Sequence, residues 1–150
     1  MPANLPMNQD FVDLLRGFIE ADVRFLVVGA YALAYHGRPR ATGDLDVWID
    51  PTPDNATRVM HALTAFGAPM QQISESELAA PGITYQIGVK PGRIDVLTHL
   101  TGIAFDEAWR GRLAKPFGEL TVPVIGLAEF IRNKRATGRA QDLIDIEGLE

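Results

Sequence analysis

The chain has no cysteine among its 150 residues. That absence excludes disulfides, thiolate metal sites and cysteine nucleophiles together, so any metal here must be held by carboxylates, histidine or water, the donor set of hard cations such as Mg²⁺. No apolar run approaches the length of a membrane span, and Met1-Pro2-Ala3-Asn4-Leu5-Pro6 lacks the basic and apolar regions of a signal peptide. A soluble cytoplasmic protein is expected. Positive charge is in short supply, with 14 Lys and Arg against 19 Asp and Glu for a formal net charge of −5. This balance argues against a surface that coats nucleic acid, although a local basic patch can still grip phosphates. The glycines of a dinucleotide fingerprint are missing as well. Val27-Val28-Gly29 begins like such a turn, but Ala30, Tyr31 and Ala32 follow where a close pyrophosphate and a closely packed helix require glycine.

What is present suits one domain, large enough to bury a core without staples. Phe11, Leu14, Leu15, Phe18 and Ile19 recur at helical spacing behind Asn8, a capping residue. Phe25 to Val28 is a short apolar strand, and Ala30 to His36 a helix closed by Gly37 before the basic Arg38-Pro39-Arg40 loop. Thr52-Pro53 starts a helix that Gly67 ends. Pro69 to Gly82 reads as an irregular acidic connection. Tyr85 to Val89 and Arg93 to Thr98 flank Lys90-Pro91-Gly92-Arg93, where Pro then Gly suits a type II turn, so a hairpin is expected. Leu120 to Ile125 is a candidate edge strand because Pro123 lacks a ladder donor. A helix from Leu127 to near Gly138 and another from about Arg139 complete the chain.

The chemistry concentrates on Asp44-Leu45-Asp46. Leu45, Val47 and Ile49 alternate with Asp44, Asp46 and Trp48, the pattern of a strand with one apolar face, so both carboxylates share the other face. Their repulsion is costly unless positive charge lies between them, and a divalent cation is the usual solution. A third carboxylate, Asp95, lies in the apolar run Arg93-Ile94-Asp95-Val96-Leu97. If that strand lies beside the first, three acidic groups converge, a patch that can hold two Mg²⁺ ions about 3.5–4 Å apart. The Gly29 turn at a helix start would present backbone N–H groups to triphosphate oxygens.

These residues resemble the minimal nucleotidyltransferases of the DNA polymerase β superfamily, and within it small bacterial proteins akin to AbiEii-type toxins. The resemblance is carried by Gly29-Ala30, by His36-Gly37-Arg38-Pro39-Arg40-Ala41-Thr42 leading to Asp44-Leu45-Asp46, and by Arg93-Ile94-Asp95. Lys134 and Gly138-Arg139-Ala140-Gln141-Asp142-Leu143 with Asp145 look like that group's closing segment. It implies an α+β, mixed α/β fold, a small mixed sheet with helices on one side. It also implies Mg²⁺-dependent transfer of a nucleoside monophosphate from a nucleoside triphosphate to an acceptor hydroxyl, on RNA or a protein, in the role of the toxin of a toxin–antitoxin pair with an antitoxin partner. Asp44, Asp46 and Asp95 would bind the metals, and Asp95 would also help deprotonate or position the acceptor. Gly29 and Ala30 would contact the triphosphate, with Arg40 and Lys134 neutralising phosphates. The group's turn commonly carries a second Gly or a Ser where this chain has Ala30, which keeps the backbone N–H but supplies no hydroxyl. A catalytically inactive nucleotide-binding or partner-binding module on the same fold is the alternative, and a metal-dependent phosphodiesterase a third.

Other residues have two readings. Thr42 either contacts ligand or ties the loop that presents Asp44. Trp48 either stacks on a base or covers sheet beneath a helix. Arg132, Lys134, Arg135 and Arg139 either grip a triphosphate or RNA, or form a solvated helix end that Asp142 and Asp145 answer with surface ion pairs. His36 is favoured at a helix end by the dipole alone and is left out of catalysis.

Overall fold

The protein was studied as a computed structural model that describes residues 8–38 and 43–149. Helix α1, Gln9–Glu20, starts where the Asn8 side chain accepts the Asp10 and Phe11 N–H groups at 2.8 and 3.4 Å. Strand β1, Phe25–Val28, is buried throughout and runs directly into helix α2, Gly29–Tyr35. Strand β2, Leu45–Ile49, follows, then helix α3, Pro53–Phe66, capped by Thr52 and ended by Gly67 in the left-handed region. The connection expected to be irregular holds a 3₁₀ turn, Met70–Gln72, and a one-turn helix α4, Glu75–Leu78. Ser74 and Glu77 form a capping box there, a local signal that the lack of a longer apolar period hid.

Strands β3, Thr84–Ile87, and β4, Ile94–Leu97, form the expected antiparallel hairpin. At its turn Gly92 takes the positive φ that the Pro-Gly pattern requires, and the Lys90–Pro91 bond is cis. Helix α5, Phe105–Arg110, and strand β5, Leu113–Phe117, come next, then β6, Leu120–Val124, α6, Leu127–Thr137, and α7, Ala140–Ile146. Among the described residues, no helix is long and apolar enough to cross a membrane.

The strands form one six-stranded mixed sheet in the order β3-β4-β2-β1-β6-β5. Strand β2 is central, antiparallel to β1 and parallel to β4. It is covered on both faces, which two helical layers explain. Phe25 pairs with Ile49 and meets Phe18 of α1 edge-on, whereas Trp48 on the opposite face meets Phe105 of α5 at 5.1 Å. Helices therefore lie against both faces rather than one. A large apolar residue on the carboxylate face needs cover, and covering sheet beneath a helix is the fate of Trp48.

Pro123 does not mark an edge. Strand β6 lies between β1 and β5, and β5 is the edge. The Ile125 N–H donates to Val27 O at 3.1 Å, so by alternation the nitrogen of Pro123 also faces β1, where the ladder has a single registered pair, Val27 with Val124. The missing donor falls where pairing is sparse, and the ladder to β5 is complete.

Candidate active site

The parallel pairing of β2 and β4 sets Asp46 directly opposite Asp95. Asp44 stands one step before β2 on the same side as Asp46 by alternation. The three carboxylates line a cavity of about 680 Å³ that also takes in Gly29, Ala30 and Lys134. Six of the eight residues singled out from the sequence are thus brought to one place. Arg40 and Thr42 lie outside the described residues.

Gly29 follows β1 as the first residue of α2, beside Asp46, and has a φ of +67°. A Cβ built there would lie 2.1 Å from Asp46 Oδ2. Two constraints therefore require glycine: a left-handed turn from strand to helix, and the seating of a carboxylate against the backbone. The small-residue turn serves the acid as well as any ligand.

The three carboxylates on this wall are not answered alike. The Asp46 pKa is pushed up to about 6, first by burial, then by the charges of Asp95 and Asp44 and by a hydrogen bond to the Asp95 side chain, with Lys134 opposing. Asp95, 7 % exposed, is held by Arg93 in a bidentate pair, Nε to Oδ1 at 2.8 Å and Nη2 to Oδ2 at 3.0 Å. Asp44 accepts the Arg93 backbone N–H at 3.1 Å and has Lys90 Nζ at 3.9 Å.

Three converging carboxylates, one of them carrying a pKa raised by burial and then by its acidic neighbours, fit a hard divalent cation in donor type and charge. Among the described residues, no three His, Cys, Asp or Glu side chains are already gathered around a point where an ion would sit. The guanidinium of Arg93 is what engages Asp95 instead.

The opposite wall comes from the start of α7 and the end of α6. Lys134 Nζ lies 3.3 Å from Asp142 Oδ1 and 3.7 Å from Asp145 Oδ2. Asp142 also accepts from Thr137 Oγ1 at 2.6 Å and from Arg139 Nε at 2.7 Å. Burial alone would raise the Asp142 pKa, but hydrogen bonds from Arg139, Thr137 and Lys134 outweigh it and hold the carboxyl well below the usual range. Both acids are buried, so they are not the surface pairs that helical spacing alone suggests. They sit behind the cavity wall and hold the residues that line it, Lys134, Thr137 and Arg139.

The basic cluster divides. Lys134 and Arg139 line the cavity, while Arg132 turns away to Glu107 at 2.7 Å and to Gly102 O. His36 Nε2 lies 2.7 Å from Ile125 O, and His36 is not among the residues that line the cavity. Residues that the sequence reading passed over also line the cavity: Arg93, His99, Asn133 and Thr137. Arg93 had a usable signal, since two residues before Asp95 on a strand means the same face.

This sheet, with an acidic wall on the adjacent parallel strands β2 and β4, has the fold of the nucleotidyltransferases. TM1012 of Thermotoga maritima, assigned as a nucleotidyltransferase by inference, superposes with a TM-score of 0.62 at 11 % identity, covering 98 % of this chain and 96 % of that one. The lincosamide antibiotic adenylyltransferase LnuA, solved with lincomycin bound, gives 0.60 at 12 % identity, covering 95 % of this chain and 96 % of its own. No protein-family model matches the sequence, and neither does any curated protein.

Proposed function

We propose that this chain is a divalent-cation-dependent nucleotidyltransferase. It would bind a nucleoside triphosphate in the cavity and pass the nucleoside monophosphate to an acceptor hydroxyl, releasing pyrophosphate. The observation that carries the reading is the pairing of Asp46 with Asp95 across β2 and β4, with Asp44 beside them and Gly29 backing the group.

Asp44, Asp46 and Asp95 would hold one or two Mg²⁺ ions. Bound there, the metal would neutralise triphosphate charge and favour ionisation of the acceptor hydroxyl. The chain's own groups do the rest. Asp95 orients the acceptor oxygen and receives its proton as that oxygen bonds to the α-phosphorus and the bond to pyrophosphate breaks. Lys134 faces Asp46 from the other wall, where it can pair with phosphate oxygens, and Arg139 stands beside it. The backbone at Gly29 and Ala30 lines the same cavity next to Asp46 and can approach the phosphates closely. Arg40 and Thr42 complete the proposed nucleotide contacts.

The acceptor is proposed to be RNA or a protein, in the setting of a toxin with a cognate antitoxin, on the strength of the sequence resemblance. LnuA acts on a small antibiotic, so small hydroxyl compounds belong in the same screen. Calorimetric titration of ATP, CTP, GTP and UTP with and without Mg²⁺, repeated on Asp44→Asn, tests the donor site without knowledge of the acceptor. Mg²⁺-dependent binding weakened by the substitution is expected; folded protein that binds none of the four would overturn the reading.

One observation favours the alternative of a nucleotide-binding or partner-binding module that transfers nothing. Arg93 and Lys90 already answer two of the three carboxylates, and Ala30 offers no hydroxyl. Tight nucleotide binding without labelled product on RNA, protein or small hydroxyl acceptors would select it.

A further inference from the structure

Arg93 pairs directly with one carboxylate of the acidic wall, and its position is set by the strand itself. It precedes Asp95 by two residues, so its side chain rises from the same face of β4 and meets both carboxylate oxygens, at 2.8 and 3.0 Å. The same residue binds Asp44 through its backbone N–H at 3.1 Å, and its carbonyl accepts the Leu45 N–H at 2.9 Å. One residue therefore spans two of the three acids and the first rung between β2 and β4. Its side chain is 23 % exposed against 10 % for that of Asp95, so the pair is only partly open to water.

We infer that Arg93 is a positioning residue that acts as a built-in counter-cation: it holds Asp95 while the site lacks a metal and must release that carboxylate when a divalent cation enters. The inference rests on the metal-dependent reading above. Guanidinium and metal compete for the same two oxygens, so Arg93 sets the affinity of the site for its ion. Without it, Asp46 and Asp95 would face each other across the two strands with no guanidinium on the Asp95 oxygens. Arg93 thus stabilises the empty site and weakens the filled one, two effects that a purely structural arginine would not couple.

The test compares wild type with Arg93→Gln, a shorter side chain that keeps polarity without charge, and with Arg93→Lys, which keeps charge without the bidentate fork. Mg²⁺ and Mn²⁺ are titrated into chelator-treated protein without nucleotide, followed by calorimetry and by the melting temperature. Arg93→Gln should melt lower than wild type in chelator yet bind the cation roughly tenfold more tightly, the scale of one partly solvated charge-assisted pair no longer broken. Arg93→Lys should fall between them, and it carries the test if Arg93→Gln does not fold. Equal or weaker cation binding in the variants, with binding intact in wild type, overturns this inference alone. Absence of cation binding in wild type and variants overturns the metal-dependent reading and this inference with it.

Discussion

Two aspartates, half-buried Asp46 on the strand wall of the cavity and buried Asp142 behind its helix wall, sit under opposite conditions. On the strand wall, burial and two acidic neighbours act on Asp46 with one opposing lysine, and its pKa rises to about 6. On the helix wall, Asp142 is more deeply buried but receives hydrogen bonds from Arg139, Thr137 and Lys134, and its pKa falls. Burial acts alike on both; the partners decide the sign. An acid whose charge is fully answered within the chain contributes to the fold. One that is not is kept at a cost in stability, which points to a ligand as the missing partner.

The largest expected difference is in activity. Asp46→Asn should lower nucleotidyl transfer by roughly a thousandfold, the scale of losing a metal-holding or charge-stabilising group. Its melting temperature in chelator should rise, because the substitution removes a charge that the fold accommodates poorly. A labelled-nucleotide assay on any acceptor found, beside a melting curve, checks both. Unchanged turnover would take Asp46 out of the mechanism.

Asp142→Asn should do the reverse to stability. It leaves Lys134 and Arg139 with less answering charge at a buried position, and breaking such a network costs about 3 kcal/mol. Denaturant unfolding of the two Asp→Asn variants side by side gives shifts of opposite sign if the two walls differ as described. Destabilisation of similar size in both would erase the distinction.

Gly29→Ala probes the back of the strand wall. The added methyl would meet the Asp46 carboxylate at a backbone angle that alanine rarely takes. A loss of about 2 kcal/mol is expected, as for other residues forced into unfavourable φ, with weaker triphosphate binding because Asp46 must shift. Gly37→Ala makes the control, since its φ is +97° but nothing stands within 4 Å of the added atom. It should cost stability without moving nucleotide affinity.

The strand wall was legible because its signals are local. Period-two alternation places Asp44, Asp46 and Trp48 together, and Asn8, Thr52, Gly67 and Gly138 mark helix ends through their own side chains or lack of them. What alternation cannot state is which strand lies beside which, so the meeting of Asp95 with Asp46 stayed conditional until the sheet order was known. Helix α5 and strand β5 carried no expectation: the first is six residues long and the second contains Pro116, so neither offers a full period. Pro123 misled because a missing donor is tolerated in an interior strand wherever the facing ladder is short. The helix wall was seen as a string of charges, but its burial depends on α6 and α7 folding back over the sheet, a tertiary fact. Fully buried Asn55 was missed for the same reason: its amide ties the Arg24 and Asp50 backbones, 31 and 5 residues away.

The smallest effect, and the most direct reading of the contrast, is in the pH dependence of stability. Asp46 has a folded pKa of about 6 against 3.8 for the free group. Between those values the folded state binds more protons than the unfolded one, so stability falls as pH rises from about 4 to 6. The shift converts to at most about 3 kcal/mol, and partial solvent access brings it nearer 1–2 kcal/mol. The depressed pKa of Asp142 works the other way: its contribution is present above the unfolded carboxylate pKa and is lost as pH falls further into acid. Melting temperatures taken across this range in chelator should therefore climb from strong acid to about pH 4 and then decline toward pH 6. Asp46→Asn should remove the decline and leave the climb, and Asp142→Asn should flatten the climb and leave the decline. Saturating Mg²⁺ should offset the decline in wild type by supplying the missing charge. A decline that persists unchanged in Asp46→Asn would assign it to another group and break the pairing of the two walls.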